Sequence, residues 1–280
     1  MDLVVGTAQI GLNNYGISNV NIDETSRTNV LKEITKSKIK FLDISNAYGQ
    51  ALSEVKKIQK PKFDLIMKFT LPDKEEIFNY LKNLIDDFSV SSLLFHRYED
   101  LISSKELWHI LYSKKTQLGI KKLGVSLYNY SELSNLLSHK IIPDVIEIPY
   151  NFIDREFEPY FKEIKNKNIE IIVRSIFLQG ILIKNEKRLP NKLLCFSTIV
   201  KKINQISLKH NISPNKLLFD FVKQNPHIDK VVIGIENEIQ LKENIKAFNE
   251  IPNINALNDL MELKFPLNKK YKKINNWKKL

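Results

Sequence analysis

The chain has 280 residues, of which 43% are hydrophobic and 27% charged, and its formal net charge at pH 7 is +11. These values fit an ordinary globular protein with a large core. Its one cysteine, Cys195, excludes an intramolecular disulfide framework and favours a reducing compartment, for which we expect the cytoplasm. No apolar run is long enough to span a bilayer, so we expect no membrane association.

The excess of positive charge raises the question of a nucleic-acid partner. The lysines, however, are scattered over helix-like segments and rarely alternate with aromatic residues, so we expect no nucleic acid to bind. The exception is the basic C-terminal tail, residues 266–280, which we predict to be a solvated segment outside a single domain formed by residues 1–265.

Short β-branched runs alternate with longer amphipathic segments along the chain. Eight runs read as strands: Leu3–Thr7, Lys40–Asp43, Phe63–Phe69, Ser91–Phe95, Lys121–Ser126, Val145–Pro149, Glu170–Ser175 and Lys230–Gly234. The amphipathic segments between them read as helices: Thr25–Ser37, Lys74–Phe88, Ser103–Lys115, Glu156–Asn166 and Glu238–Phe248. Such alternation implies parallel strands joined by crossover helices.

The longest interval between strand runs lies between Ser175 and Lys230. We predict a loop over the active face at Phe177–Lys192, then a helix at Leu193–Lys209. A second helix should follow at Pro214–Gln224, because Ser213 is a good N-cap and proline suits the first helical position. A further helical pattern runs from Ala256 to Leu263.

The predicted fold is therefore an α/β (β/α)8 TIM barrel, with extra helices after strand 7 and at the C-terminus. A doubly wound sheet is the alternative. The chain lacks a Gly-x-Gly-x-x-Gly turn between its first two strand runs, which disfavours that alternative for a nucleotide-binding protein.

Four polar residues follow or close consecutive strand runs: Asp43, Tyr48, Lys68 and His96. The C-terminal ends of barrel strands converge on one face, where catalytic sites are built. A tyrosine titrates near ~10, but a neighbouring ammonium favours its phenolate, and an aspartate would keep that ammonium charged. A histidine at the rim would orient a substrate carbonyl. We therefore expect a proton-donating site with no metal.

Each of the four residues also has an ordinary structural explanation. Tyr48 could be a surface phenol, Asp43 a turn cap and His96 a satisfied core histidine. Lys68 is harder to explain in this way, because it closes an apolar run and needs a charged partner there.

From Gly6 to about Phe248 the chain resembles the aldo-keto reductase family. Asp43, Tyr48-Gly49, Lys68 and His96 match the order and approximate spacing of that family's catalytic tetrad. Further matches are Gly6-Thr7-Ala8-Gln9, Tyr15-Gly16, Gly124-Val125-Ser126, Tyr150-Asn151, Gln179-Gly180 and the final Gly234 with Gln240-Leu241-Lys242-Glu243-Asn244.

The resemblance implies an oxidoreductase that uses NADPH or NADH to reduce a small carbonyl compound, with Tyr48 as the proton donor. Asp43 and Lys68 would tune Tyr48, and His96 would orient the substrate. The resemblance places the cofactor against these residues: Gly6, Thr7, Asp43, Ser126, Glu147, Arg174, Ser175, Gln179, Gly180, Gly234, Glu236, Gln240, Glu243 and Asn244.

The sequence departs from the family pattern near the nicotinamide. Leu127 stands where many members have asparagine, and Glu147 where glutamine is usual. A carboxylate can accept from the carboxamide NH2 but cannot donate to its oxygen. Arg174 stands where many members stack an aromatic ring, and its planar guanidinium could stack instead. Glu147 and Arg174 could also simply pair with each other.

The loop expected at the adenosine end carries Glu236 and Gln240 where NADPH-specific members would carry cations. Glu236 could instead accept a hydrogen bond from a ribose 2′-hydroxyl. We therefore expect weak NADPH preference or true NADH use, unless Glu236 serves only the helix dipole.

Three functions remain after this reasoning. The first is a carbonyl reductase whose substrate is an aldehyde or ketone, including a sugar or sugar derivative; the segment Val173–Gly180 resembles bacterial members of this kind. The second is a nucleotide-binding regulatory barrel with little turnover. The third, a metal hydrolase, is disfavoured because the five histidines form no close ligand pair. The oligomeric state is left open.

Overall fold

The computed structural model describes residues 1–264 except 14, 17–21, 59–62, 72–76, 87 and 89. Eight parallel strands close into one barrel in chain order. They are β1 Asp2–Gly6, β2 Phe41–Ser45, β3 Asp64–Phe69, β4 Val90–Phe95, β5 Lys122–Ser126, β6 Val145–Pro149, β7 Glu170–Arg174 and β8 Lys230–Gly234. The predicted barrel is confirmed, and each predicted strand lies within two residues of its observed position.

Helices connect the strands on the outside of the barrel. Those described are α1 Ala8–Gly11, α2 Glu24–Lys36, α3 Ala51–Ile58, α4 Ile77–Asp86, α5 Tyr98–Ser103, α6 Lys105–Lys114, α7 Tyr130–Ser138, α8 Phe161–Asn166, α9 Ser197–Lys209, α10 Pro214–Lys223, α11 Glu238–Asn249 and α12 Ile254–Met261. Short 3-10 helices span Glu158–Tyr160, Ile181–Ile183, Glu186–Arg188 and Asn191–Phe196. Within the described part of the chain, no helix is long and apolar enough to cross a membrane.

Each predicted helix has an observed counterpart, but α1, α3, α5 and α7 were not predicted, and several boundaries differ. The helix predicted from Ser103 to Lys115 begins only at Lys105, because Ser104, with φ −135° and ψ 47°, lies outside the helical region and separates α6 from α5. The predicted starts at Glu156 and Leu193 fall in or before 3-10 turns, so the α-helices begin later. Ser213 caps α10 as expected, its side chain accepting from the Lys216 amide. The predicted start of α4 and the basic tail lie outside the described residues.

The prediction of an open loop at Phe177–Lys192 is wrong in one respect. The segment contains two of the 3-10 turns, and Leu178, Ile181 and Leu182 are buried in the core. Burial of these apolar side chains gains free energy that an exposed loop would not gain, so the segment packs against α9 and α10.

The alternation of side chains along each strand sorts the barrel interior into layers. A middle layer is apolar and consists of Val4, Ile66, Leu94, Val145, Ile172 and Val232. Two positions further toward the C-terminal ends, the same inward-facing positions are polar: Lys68 follows Ile66, Glu147 follows Val145 and Arg174 follows Ile172. The strand period therefore directs charged groups to the C-terminal mouth.

The opposite mouth has its own charged group. Glu170, at the start of β7, pairs with Lys122 and with Lys230, whose Nζ lies 2.6 Å from Glu170 Oε1. The Lys230 ammonium also lies 4.8 Å from the centre of the Phe41 ring. These residues close the N-terminal mouth beneath the apolar layer.

Closure of the barrel depends on pairing between the first and last strands. β1 and β8 share five register pairs, from Asp2 opposite Lys230 to Gly6 opposite Gly234. Because a closed sheet has no free edge, every strand in this barrel is hydrogen-bonded on both sides.

Candidate active site

A chain of alternating charges occupies the C-terminal mouth. The Lys68 Nζ lies 2.8 Å from Oδ1 and 2.9 Å from Oδ2 of Asp43, and 2.7 Å from Oε1 of Glu147. The same Glu147 oxygen lies 3.3 Å from Nε of Arg174. The pairing of Glu147 with Arg174 anticipated from the sequence is therefore present, but Glu147 also takes a second partner, Lys68. Asp43, Lys68 and Glu147 are almost completely buried.

Burial and mutual attraction act in opposite directions on these groups. Burial alone would lower the pKa of Lys68, but Asp43 and Glu147 raise it well above its usual value, so the ammonium stays charged. Burial would raise the pKa of Glu147, but Lys68 and Arg174 hold it below its usual range. Burial and the Glu147 charge raise the pKa of Asp43 to about 7. Because the two carboxyls share the Lys68 ammonium, they take up their first proton as a coupled pair.

Tyr48 and His96 stand beside this chain of charges. Their rings meet edge to face with centroids 5.5 Å apart, and the Lys68 Nζ lies 5.5 Å from the Tyr48 centroid. The structure thus brings together all four residues of the expected tetrad. Lys68 lowers the Tyr48 pKa as expected, but burial of the phenol outweighs the ammonium, so the net pKa lies above its ordinary value.

His96 has a defined hydrogen-bond partner that sequence reasoning missed. Its Nδ1 lies 2.9 Å from Ser45 Oγ, and that oxygen accepts from the Ala47 amide at 3.1 Å. Burial, followed by the Lys68 charge, lowers the pKa of His96 to about 4, so the ring is neutral at physiological pH. If the Ser45 hydroxyl donates to Nδ1, the ring proton of neutral His96 is on Nε2, and we take this tautomer as the working assignment. A serine two residues after the aspartate, on the same inward face, was the available signal.

Ser45→Ala should remove the hydrogen bond that selects the tautomer of His96. We expect kcat for carbonyl reduction to fall roughly tenfold with little change in KM, because the Nε2–H form loses its support. Nitrogen NMR of the histidine ring should show a mixture of tautomers. Ser92→Ala, at a buried serine on β4, is the matched control and should leave both readouts at their wild-type values. An unchanged His96 spectrum in Ser45→Ala would contradict the assignment.

The turn that carries Tyr48 is held by close backbone contact. A Cβ at Gly11 would lie 1.9 Å from the Tyr48 carbonyl oxygen, and one at Gly49 would lie 2.4 Å from the Gly11 oxygen. The Gln50 amide also donates to Gly11 at 3.1 Å. Two glycines are therefore required where α1 meets this turn, and Gly11 has no signature in the sequence that would have identified it.

Gly6 and Thr7 are packed tightly at the end of β1, and Thr7 holds the backbone of Asp43. The Thr7 amide and hydroxyl both donate to the Asp43 carbonyl oxygen at 2.9 Å. A Cβ at Gly6 would meet the Ile233 oxygen at 3.2 Å. Thr7 is fully buried, so its observed role is to fix the backbone of Asp43.

The end of β5 and the centre of β6 present two polar groups side by side. Ser126 pairs with Glu147 in the sheet register, and both are buried. Glu147 Oε2 has no hydrogen-bond partner among the described residues. An unpaired buried carboxylate oxygen is costly, and an amide NH2 is the type of donor that would satisfy it. The residues present therefore fit a nicotinamide carboxamide.

The end of β7 differs from its expected arrangement. The Arg174 guanidinium lies 4.4 Å from the centre of the Tyr128 ring, so it already has an aromatic partner within the protein. Beyond it the backbone takes left-handed angles at Ser175, Gln179 and Gly180, with φ of 62°, 52° and 82°. Left-handed non-glycine residues are uncommon and concentrate at functional sites, which agrees with a cofactor-binding role for this segment.

The loop after β8 leads into α11, whose N-terminus is capped by Asn237. The Gln240 side chain accepts from the Glu236 amide at 3.0 Å and donates to the Glu236 carboxylate at 3.1 Å, so it holds that carboxylate at the loop. Glu243 is exposed. Asn244 is buried and accepts from Asn215 at 2.6 Å, which ties α11 to α10.

Gly234 closes β8 beside this loop and is exposed; a Cβ there would meet only the flexible end of the Gln9 side chain. Over the described residues, no group of three or more His, Cys, Asp or Glu side chains is arranged to hold a metal ion.

A model of the aldo/keto reductase family matches residues 2–259. Barrel, site and family match together define the class: oxidoreductases that use NADPH or NADH to reduce carbonyl groups of small molecules. The chain belongs to the aldo/keto reductase family. No curated protein sequence matches it closely enough to count as a relative.

Solved structures agree with the fold. An aldo-keto reductase from Bacillus halodurans in its holo form aligns with TM-score 0.72 at 18% identity, over 97% of this chain and 95% of that one. A glycerol dehydrogenase from Gluconobacter oxydans aligns with TM-score 0.68 at 15% identity, over 95% and 94%. A protein solved in complex with NADPH aligns with TM-score 0.67 at 16% identity, over 92% and 88%.

Proposed function

We propose that the protein reduces an aldehyde or ketone to an alcohol, with Tyr48 donating the proton to the carbonyl oxygen. The observation that carries this proposal is the joint placement of Tyr48, His96 and the Lys68 cluster at the C-terminal mouth of the barrel. Active sites of barrels of this kind lie at that mouth.

When bound, the nicotinamide dinucleotide supplies the hydride. The protein's own part is to position and protonate the substrate. Neutral His96 offers its Nε2–H to the carbonyl oxygen and orients it toward Tyr48. Tyr48 transfers its phenolic proton to that oxygen as negative charge develops there, and the Lys68 ammonium stabilises the phenolate that is left. Ser126 and Glu147 would hold the carboxamide.

The remaining residues named from the family resemblance surround the other parts of the cofactor in this proposal. Ser175, Gln179 and Gly180, whose backbone is left-handed, would line the pyrophosphate. The loop after β8 and the N-terminus of α11 would receive the adenosine end, in agreement with the preference of helix N-termini for phosphate.

For the substrate we propose a small hydroxylated carbonyl compound, such as a sugar or sugar derivative. Tyr15 lies close enough to Lys68 and Arg174 for their charges to act on its phenol, so hydroxyl groups from several elements surround the site. A hydroxyl-rich mouth suits a substrate that itself carries hydroxyls. The similarity in fold to a glycerol dehydrogenase is compatible with this class.

The alternative is a nucleotide-binding barrel with a regulatory role and little turnover. One observation favours it: Glu147 Oε1 and Arg174 are already engaged within the protein, which reduces the contacts left for a nicotinamide. A fluorescence titration with NADPH and NADH, followed by a screen of hydroxyaldehydes for nucleotide oxidation, separates the two. Binding with turnover supports the reductase; binding with no turnover on any substrate supports the regulator.

We expect NADH to bind at least as tightly as NADPH. The Glu236 carboxylate, held by Gln240, would repel a 2′-phosphate but accept from a 2′-hydroxyl. Glu236→Lys should shift the ratio of dissociation constants toward NADPH by roughly tenfold or more, because it exchanges repulsion for a charge-assisted bond. Glu238→Lys, in the first turn of α11, is the control and should leave the ratio unchanged. A large NADPH advantage in the wild type would refute this prediction.

A further inference from the structure

Lys68 serves two carboxylates in this protein rather than one. The distances from its Nζ to Asp43 and to Glu147 are nearly equal, at 2.8 and 2.7 Å. All three side chains are buried, so water screens their charges little. The ammonium and the two carboxylates together carry one negative charge. The Arg174 guanidinium, which contacts Glu147, or one added proton would neutralise it.

We propose, on the basis of the proposed function, that Glu147 is a positioning residue for the proton of Tyr48. Its carboxylate shares the Lys68 ammonium with Asp43 and so cancels much of the field through which that ammonium would draw the proton off the phenol. Tyr48 then keeps its proton to higher pH, so the phenolate that would act as base in alcohol oxidation forms at a higher pH than it would without Glu147.

The groups around the phenol support this assignment. The titratable and charged side chains that act on Tyr48 are Lys68, Asp43, Glu147, Tyr15, Arg174 and His96. His96 is neutral, and Tyr15 has no charge at neutral pH. Glu147 contacts the Lys68 ammonium directly, whereas Arg174 contacts Glu147. Of the two, Glu147 is therefore the residue coupled to Tyr48 through Lys68.

Burial of the phenol favours the protonated form of Tyr48, as the Glu147 charge does. Burial is the largest cause of the raised Tyr48 pKa, and the Asp43 and Glu147 charges add to it. Lys68 is the main group that opposes them. Removing the Glu147 charge should therefore leave Lys68 opposed by Asp43 alone and lower the pH at which the phenolate forms.

The test is an ultraviolet difference titration of the protein without nucleotide. The Tyr48 phenolate is isolated by subtracting the signal of a Tyr48→Phe variant made in the same background. Glu147→Gln should shift its appearance to lower pH by about one unit or more, the size expected when one charge of a buried cluster is removed at an effective dielectric constant of ~20. Glu147→Asp restores the charge and should return the titration toward the wild-type position.

The matched control is Glu170→Gln, the same change at the other mouth of the barrel. Glu170 also pairs with two lysines, but it starts β7, about 13 Å along the strand from Arg174. It should not move the Tyr48 titration. An unshifted titration in Glu147→Gln, or equal shifts in both variants, would overturn the proposal.

Two further measurements keep the outcome decisive. If Glu147→Gln fails to fold, Glu147→Met takes its place, because it removes the same charge: Tyr48, followed by NMR of labelled tyrosine, should ionise at lower pH than in the wild type, and an unshifted Tyr48 overturns the proposal. Because these readouts need neither nucleotide nor substrate, failure of the proposed reductase activity would be seen separately, as an absence of nucleotide oxidation.

Discussion

Tyr48→Phe should abolish carbonyl reduction almost completely while leaving nucleotide binding intact. The variant removes one oxygen, the only group in the proposed mechanism that gives a proton to the substrate. General acid catalysis contributes roughly 10²–10⁴-fold to rate, so we expect kcat to fall by about a thousandfold. The phenyl ring keeps its edge contact with His96, so the fold should be unaffected. Steady-state kinetics and nucleotide titration on the same preparation measure the two effects.

Tyr150→Phe is the matched control, since Tyr150 is also buried and follows a strand, β6, but stacks on Phe221 with centroids 5.3 Å apart. Its activity should stay at the wild-type level. A Tyr48→Phe protein that retained a tenth or more of the wild-type kcat would remove Tyr48 from the role of proton donor. Loss of nucleotide binding in that variant would instead indicate that Tyr48 shapes the site.

Lys68→Met should have the largest effect on stability. It leaves the buried carboxylates of Asp43 and Glu147 close together without the ammonium that neutralises them. Removing one partner of a buried ion pair costs about 3–5 kcal/mol of unfolding free energy. Denaturant unfolding at neutral pH measures this loss. Activity should fall as well, because Tyr48 loses the cation that stabilises its phenolate.

The loss should depend on pH in a defined direction. Asp43 already has a pKa raised to about 7 in the folded protein, and removing the ammonium raises the folded pKa values of both carboxyls further. A group whose folded pKa exceeds its unfolded value stabilises the fold below the unfolded pKa, and this stabilisation is lost as pH rises through the folded pKa. Lys68→Met should therefore regain stability as pH falls from about 7 toward about 4.

Lys216→Met is the control for this experiment, because Lys216 is also buried and lies 2.5 Å from its partner, Asp220, but sits in α10 outside the barrel. It should lower stability while leaving the reaction of the folded protein intact. The double variant Lys68→Met with Glu147→Gln should recover part of the lost stability. A Lys68→Met protein as stable as the wild type at pH 7 would contradict the charge chain described here.

The sequence was sufficient for the barrel because its signals are local. Strand runs of five or six residues alternate with helical stripes, and the strand period already directs Lys68 and Glu147 to the same layer. The tetrad followed from the rule that strand C-termini converge. The separate helix α5 before Ser104 and the packed segment after β7 did not follow, because those outcomes depend on contacts between residues distant in sequence.

The electrostatics of the site were the least predictable part. The sequence suggested Asp43 as the natural partner of Lys68, but not that Glu147 would reach the same ammonium, since that contact joins residues 79 positions apart. The net direction of the Tyr48 pKa shift did not follow either, because it is the sum of burial and three charges. Ser45 escaped notice because serine on a strand is common and its partner, His96, lies two strands away.

The pairing of β1 with β8 has a consequence for how the chain reaches this structure. One edge of β1 can pair with β2 early, but the other edge finds its partner only after residues 230–234 have been synthesised and placed. Contacts between segments so far apart in sequence form slowly, because a long loop must close before they gain any free energy. The mouth that holds Tyr48 and Lys68 thus acquires its complete wall in the last steps of folding, and a ribosome-bound chain that has not yet exposed β8 carries the tetrad residues without an enclosed site.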